Sequence, residues 1–472
     1  MTSRFYNPYF FLPVLRGRED GGQSVEFNKL RDGSHHHIRH DLYHPGYLTG
    51  YLICTLTTKT PTFVGNERIA GIKRYTAGKA GHYAINGSPA FPASSLNGMI
   101  GSLMEALSNS ALRVLADEKA KELLEKLEDG HNLLPWKGKR THLTPAELIL
   151  GAVAEEEGGS GGDGEVYSFA GRVRFSDAEK TGRGEVKTLG VKMLKILSSP
   201  RPVTDKIHNF YFHKKSALSS EDKTVINGRK YYLHHRPQQM SKTGGKGKYW
   251  WETKDACNVR TIHQKTCCDP VAKGQKFRFH ICFHNLSEAE LGLLLAALDP
   301  VRADVALNRS KATTEEEEAG RSASSGKFLH RLGFGKPLGL GTVKIGITQL
   351  WLETVETSYT SWAPDPFTKD GMDCIDHCLD AAVAERLIDE TVLKALLELG
   401  DPAKIDARVT YPVTRQQYEA LEKGEAEGEQ RLFQWFVENK PYRGVVLVGD
   451  DFWYGKEPQS VLVKLPALNG HE

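Results

Sequence analysis

Four glycines set closely around a lysine, Gly333, Gly335, Gly339 and Gly341 with Lys336 in the run LGFGKPLGLG, are the residues best suited to hold an anion. Glycine tolerates positive φ and close backbone approach, so main-chain N–H groups and one ammonium can line a phosphate. No GK[ST] ends the run, and it leads into a strand instead of opening a helix. That excludes a Walker loop and a dinucleotide fingerprint. A glycine-rich β-turn without ligand competes for the same residues.

A second anion site is expected at a helix opening near Ser95, where the first N–H groups lack intrahelical partners and the dipole favours negative charge. Ser94, Ser95 and Asn97 add polar side chains, and either serine could cap the helix after Pro92. Two other runs alternate apolar with basic residues. In GRVRF, Arg172 and Arg174 oppose Val173 and Phe175; in KFRFHICF, Lys276, Arg278, His280 and Cys282 oppose Phe277, Phe279, Ile281 and Phe283. Lys230, Tyr231, Tyr232 and His234 could stack on bases or wedge between them, with one of the two tyrosines expected in the core.

Metal chemistry is a weaker reading. The run SHHHIRHDLYH gathers His35, His36, His37, His40, Asp41 and His44, yet three consecutive histidines point in different directions on a helix or a strand. A polar loop touching RNA or solvent is expected there; a metal hydrolase built on these histidines is the competing reading. Cys257, His263, Cys267 and Cys268 could supply zinc ligands, but the adjacent cysteine pair suits tetrahedral closure poorly and the spacing matches no common knuckle. No tightly bound cofactor is expected. Cys374 and Cys378, one helical turn apart, read as small packed side chains. The 7 cysteines are scattered and follow no secretory signal, so disulfides are not expected.

These groups need elements to position them. Leu52, Cys54 and Leu56 share one face of a strand whose other face carries Tyr51, Ile53 and Thr55. Leu96, Met99, Ile100, Leu103 and Leu107 recur at helical spacing, and a capping box from Ser287 to Glu290 opens a second helix. Val343, Ile345 and Ile347 make a strand directly after the glycine run. Strands and helices mix without a regular parallel βαβ repeat, which predicts an α+β fold. From Asp373 to Leu399 the spacing predicts a helical appendage burying Leu379, Ala382, Val383, Leu387, Val392, Leu396 and Leu399. Its partner is expected in the last segment, around Phe433, Trp435, Phe436 and Trp453.

The predicted organisation is a His-rich extension over 1–46, a core over 47–350 and an α/β appendage over 351–472. Polar, glycine-rich or acidic insertions interrupt the core near 150–165, 200–275 and 311–326. Composition adds bounds. Hydrophobic residues make up 39% of the 472 and charged residues 26%, as in a soluble globular protein. The 62 basic and 59 acidic residues nearly cancel at +3, so any nucleic-acid affinity must come from local basic surface. Neither a signal-peptide core nor an apolar span of about 20 residues is present, which predicts a cytoplasmic protein with no membrane partner.

Six motifs in one order resemble RAMP proteins of CRISPR systems, and among them long backbone subunits of type III (III-D-like) effector complexes. They are LTGYLICTLTTKTPTFVGN, GSPAFPASSLNGMIGSLMEAL, FAGRVRFSDA, NGRKYYLHH, NLSEAELGLLLAAL and LGFGKPLGLGTVKI. The resemblance implies a ferredoxin-like core, similar to an RNA-recognition module, that holds guide RNA by its backbone. The implied partners are crRNA, target RNA, other RAMP backbone subunits and the large signalling subunit. Lys73 and Arg74, in the loop after the first strand, join the RNA-binding candidates. One departure weakens the helix-opening site: Asn97 and Gly101 stand where the family has a lysine and an arginine.

Slicing members carry an Asp in the loop after the first strand, beside the scissile phosphate. Here Asn66 holds the nearest position, and an amide neither takes a proton nor binds a metal strongly. The chain is therefore expected not to cut target RNA, with Glu67 and then Asp41 as the substitutes if it does, using magnesium or manganese. A guide-processing ribonuclease is the remaining enzymatic alternative.

Overall fold

The computed structural model describes residues 9–14, 25–26, 39–66, 78–79, 81–115, 121–122, 124, 134, 142–154, 167–195, 197, 212–214, 224–226, 228–235, 249, 251–252, 266–311, 327–353 and 371–405. The elements that frame the site are β1 (Tyr9–Leu12), β2 (Leu48–Thr58), α1 (Ala93–Leu107), β3 (Val173–Phe175), β4 (Glu179–Lys180), β5 (Arg229–Tyr232) and β6 (Lys276–Leu286). They continue with α2 (Glu288–Leu298), α3 (Pro300–Arg309), β7 (His330–Arg331), β8 (Thr342–Glu353), α4 (Gly371–Ala384) and α5 (Glu390–Gly400).

The main sheet runs β3–β6–β2–β8–β7, with β4 also pairing β6, and every pairing is antiparallel. Strict alternation along β2 buries Leu52, Cys54 and Leu56 completely, and along β6 it buries Phe277, Phe279, Ile281 and Phe283. These side chains share one core with α1, α2, α4 and α5. The predicted strand faces and both helical stripes therefore form, and the fold is a mixed α/β one around an antiparallel sheet.

Helix α2 begins as the sequence predicts. Ser287 Oγ accepts from the Glu290 N–H at 3.1 Å, and the Glu290 carboxylate accepts from the Ser287 N–H at 2.9 Å. It is buried on nearly all sides, since α4 packs backbone to backbone against it: a Cβ on Gly292 would lie 2.0 Å from the Cys378 carbonyl.

Two expectations need correction. Helix α1 starts at Ala93, with Pro92 at the N-cap position, so Ser94 and Ser95 lie in the first turn and neither caps it. Arg172 precedes β3 and turns inward, 2% exposed, where it pairs with Glu290. The segment expected as a C-terminal appendage contributes α4 and α5 to the core shared with the sheet; Leu379, Ala382, Leu387, Val392, Leu396 and Leu399 are buried as expected, and Val383 is half-buried. The predicted insertion over 311–326 lies, apart from Lys311, outside the described residues, as do Phe433, Trp435, Phe436 and Trp453.

Candidate nucleic-acid interface

The glycine run joins β7 to β8 through residues 332–341. Gly333, Gly335, Gly339 and Gly341 all have φ between 77° and 88°, and the latter part of the run closes in a 3-10 turn at Lys336–Leu338. The freedom serves packing first. A Cβ on Gly333 would stand 2.2 Å from the Phe63 carbonyl and one on Gly341 2.0 Å from the Leu332 carbonyl. Much of the loop's donor capacity is spent internally: Phe334 donates to Phe63, Gly341 to Pro61, Leu332 to Gly341, and Leu338, Gly339 and Leu340 close the turn. The N–H groups of Gly333, Gly335 and Lys336 take no part in this internal bonding, so the cradle is narrower than the sequence suggests.

Packed against residues 61–64, the loop becomes one wall of a cleft of about 460 Å³. Val64 and Gly65 follow β2 into it, Ser95, Gly98 and Ser102 face it from α1, and Lys230, Tyr231 and Tyr232 close it from β5. Strand β5 is held there by β1, whose Tyr9 pairs with Tyr232. Separate stretches of the sequence thus meet in one place, and among the described lining residues three are cations, Lys230, Arg331 and Lys336, with no carboxylate.

Burial makes these cations costly to keep charged. It lowers Lys230 to about 7, Lys336 to about 8 and Arg331 to about 10; for Lys336 the neighbouring Arg331 charge adds to the effect. Lys230 Nζ lies 4.0 Å from the Tyr9 ring centroid and 4.8 Å from that of Tyr232, whose π faces favour a cation. Arg331 braces the glycine turn, donating to the Lys336 carbonyl at 2.5 Å and to Thr342 Oγ1 at 2.6 Å. Arg331 escaped the sequence reading, although its place directly before the glycine run was a usable signal. Ser102 escaped it as well.

At the cleft wall and behind it, burial holds the histidines neutral. His330 is lowered to about 4 and His235 to about 3, and His234 also lies well below the usual range. His234 is 1% exposed, with its ring nitrogens near the Leu329 carbonyl (3.0 Å) and Thr342 Oγ1 (3.1 Å), so it is a core group and not a base-wedging one. Tyr231 is buried and Tyr232 half-buried, the split expected of a strand pair.

Of the predicted RNA contacts, Ser95, Lys230, Gly333 and Lys336 line the cleft. Gly335, Gly339 and Gly341 shape the loop. Ser94 is exposed outside the lining, and Asn97 keeps a buried Oδ1 without a partner. The helix-opening anion site is already filled: Asp177 Oδ1 accepts from the Ala93 N–H at 2.6 Å while its other oxygen accepts from the Tyr83 hydroxyl at 2.6 Å. Arg174 and Arg278 are exposed on the outward sheet face. Asp41 pairs with Arg39 beyond the opposite end of β2. Cys267 and Cys268 sit on the strand Thr266–Cys268, with Cys268 buried. Lys73, Arg74, Glu67, Cys257 and His263 lie outside the described residues.

A family model of the RAMP superfamily matches residues 55–344, a span containing every wall of the cleft. Among solved structures the chain is similar to Csc2 from Thermofilum pendens, at 14% identity over 83% of this chain and 89% of that one. The TM-score of 0.26 gives that likeness no weight as an argument. No curated protein matches.

Proposed function

The chain belongs to the RAMP superfamily, and from that premise we propose that it is a guide-RNA-binding backbone subunit of a type III CRISPR effector complex. We read its core as ferredoxin-like: β2–α1–β3 and β6–α2–β8 form two βαβ halves, interleaved in the order β3–β6–β2–β8. The observation that carries the functional reading is the cleft with Lys230, Arg331 and Lys336 on its walls and no carboxylate among its described residues. Such a lining suits a phosphate backbone and reads no base, as a subunit must if pairing alone chooses the target.

The partners in this reading are crRNA, target RNA, neighbouring RAMP subunits and the large signalling subunit. Cutting is not part of it. Asn66, next to the cleft residue Gly65, is exposed and offers an amide where slicing members carry a carboxylate. Purification of the chain from its native complex, followed by sequencing of the co-eluting RNA, tests the proposal. Repeat-derived RNA of uniform length is expected; protein without RNA or partners would contradict it.

A further inference from the structure

The outward face of the main sheet carries chemistry that the cleft does not use. Strand register sets Arg174 beside Cys282, Cys282 beside Tyr51 and Tyr51 beside Trp351, one row across four strands. The Tyr51 and Trp351 rings stack with centroids 5.7 Å apart and 11° between planes, and the His280 ring meets Tyr51 edge-on at 6.2 Å. None of these rings belongs to the hydrophobic core. Arg174, Lys276, Arg278 and Lys344 are exposed around them, against three carboxylates among the described residues: Glu179, opposite Arg278, Glu353, opposite Thr49, and Asp41, which is paired with Arg39 beside the Tyr51 end.

At the Tyr51 end this face opens into a cavity of about 540 Å³, bordered by Arg174 and by the rings of His40, Tyr43 and His284. His40 stacks on His284 at 6.4 Å and Tyr43 meets it edge-on at 5.1 Å. Flat rings with cations between them provide the two things a single strand offers partners for, a π face on every base and a charge on every phosphate.

We propose that the outward sheet face binds single-stranded nucleic acid, with bases stacking on Tyr51, Trp351 and His280 and phosphates meeting Arg174, Arg278 and Lys344. Its aromatic row at Tyr51 lies toward the far end of β2 from the cleft, about 20 Å from the Thr58 end by strand rise, whereas Lys344, opposite Thr57, stands at the near end; the inference does not depend on what the cleft holds.

The exposed thiol of Cys282, between Arg174 and Tyr51 in that row, supplies the readout. The full chain, stripped of RNA, is titrated with a labelled oligouridylate of about 12 nucleotides, and maleimide modification of Cys282 is followed by peptide mass spectrometry. Saturating oligonucleotide is expected to slow Cys282 modification at least about fivefold, and Trp351→Ala, made in the Lys230→Ala/Lys336→Ala chain so that the cleft does not mask the loss, to weaken binding about tenfold. Arg278→Glu, an exposed change that leaves the core alone, should weaken binding to a similar extent if Trp351→Ala folds poorly. Protection of Cys282 should persist in Lys230→Ala/Lys336→Ala, which separates this face from the cleft. Equal modification rates with and without saturating oligonucleotide would overturn the proposal, as would unchanged affinity in both folded variants, the result expected of a protein-docking face.

Discussion

Arg331 donates to the main-chain carbonyl of Lys336 at 2.5 Å, so one cation of the cleft sets the turn that presents another. Its second bond, to Thr342 Oγ1 at 2.6 Å, ties the same turn to the first residue of β8. Lysine in its place keeps a positive charge but lacks the planar fork that reaches two acceptors from separate nitrogens. Arg331→Lys is expected to cost about 1–3 kcal/mol of stability, the range for losing a charge-assisted bond at a buried site. It should also weaken RNA binding. Thermal melting and fluorescence anisotropy check the two effects; loss of affinity without any loss of stability would show that Arg331 touches RNA directly and braces nothing.

Arg172 gives the opposite prediction from the one its sequence position suggests. Its guanidinium makes a bidentate pair with Glu290 and donates to the Asn285 carbonyl at 2.6 Å, all in the interior. Arg172→Ala leaves the Glu290 charge buried, and breaking such a pair costs roughly 3–5 kcal/mol. A strongly lowered melting temperature is expected, with normal RNA retention by whatever fraction stays folded. Normal stability with lost RNA would restore Arg172 to the interface.

The neutral histidines at and behind the cleft wall make stability depend on acid. In the folded chain His330 and His235 titrate near 4 and 3, against 6.5 for the free side chain, so below pH 6.5 the unfolded chain binds more protons than the folded one. Stability is therefore whole above pH 6.5 and falls as pH drops toward 4, by roughly 1.4 kcal/mol per pH unit for each histidine. Denaturation midpoints across that window should show the slope, and His330→Gln should flatten it. A midpoint independent of pH between 6.5 and 4 would contradict the buried, neutral assignment.

The two lysines link binding to protons in the alkaline direction. With Lys230 near 7 and Lys336 near 8 in the free protein, a bound phosphate raises both values, so RNA binding takes up protons at pH 8. Affinity should fall as pH rises from 7 to 9, by at most about tenfold per unit for each lysine. Calorimetry at pH 8 in buffers of different ionisation enthalpy reads the uptake directly; zero uptake would remove both lysines from the interface.

Periodicity made β2, β6, α1 and α2 legible because each buries one repeating face, and the Ser287–Glu290 box announced its own helix start. The four glycines announced positive φ for the same reason: few other residues accept it. What stayed hidden depended on partners distant in sequence. GRVRF alternates like a two-faced strand, yet Arg172 sits one residue before the pairing begins and meets Glu290 more than a hundred residues later. The helix opening looked like a vacant anion site because Asp177, which fills it, arrives from another strand end. Convergence of Ser95, Lys230 and Lys336 on one cleft follows from sheet order, which no local pattern encodes.

The salt dependence of RNA affinity tests most directly whether the cleft holds a phosphate backbone. Binding of single-stranded guide RNA is measured at pH 6.5, where Lys336 is charged, from low to moderate salt for the wild-type chain and for Lys230→Ala/Lys336→Ala. Removing one lysine–phosphate ion pair should lower the slope of log affinity against log salt by about 0.7, so the double variant should bind more weakly at low salt with a slope shallower by about 1.4. A variant that folds normally yet keeps both the wild-type affinity and the wild-type slope would contradict the account.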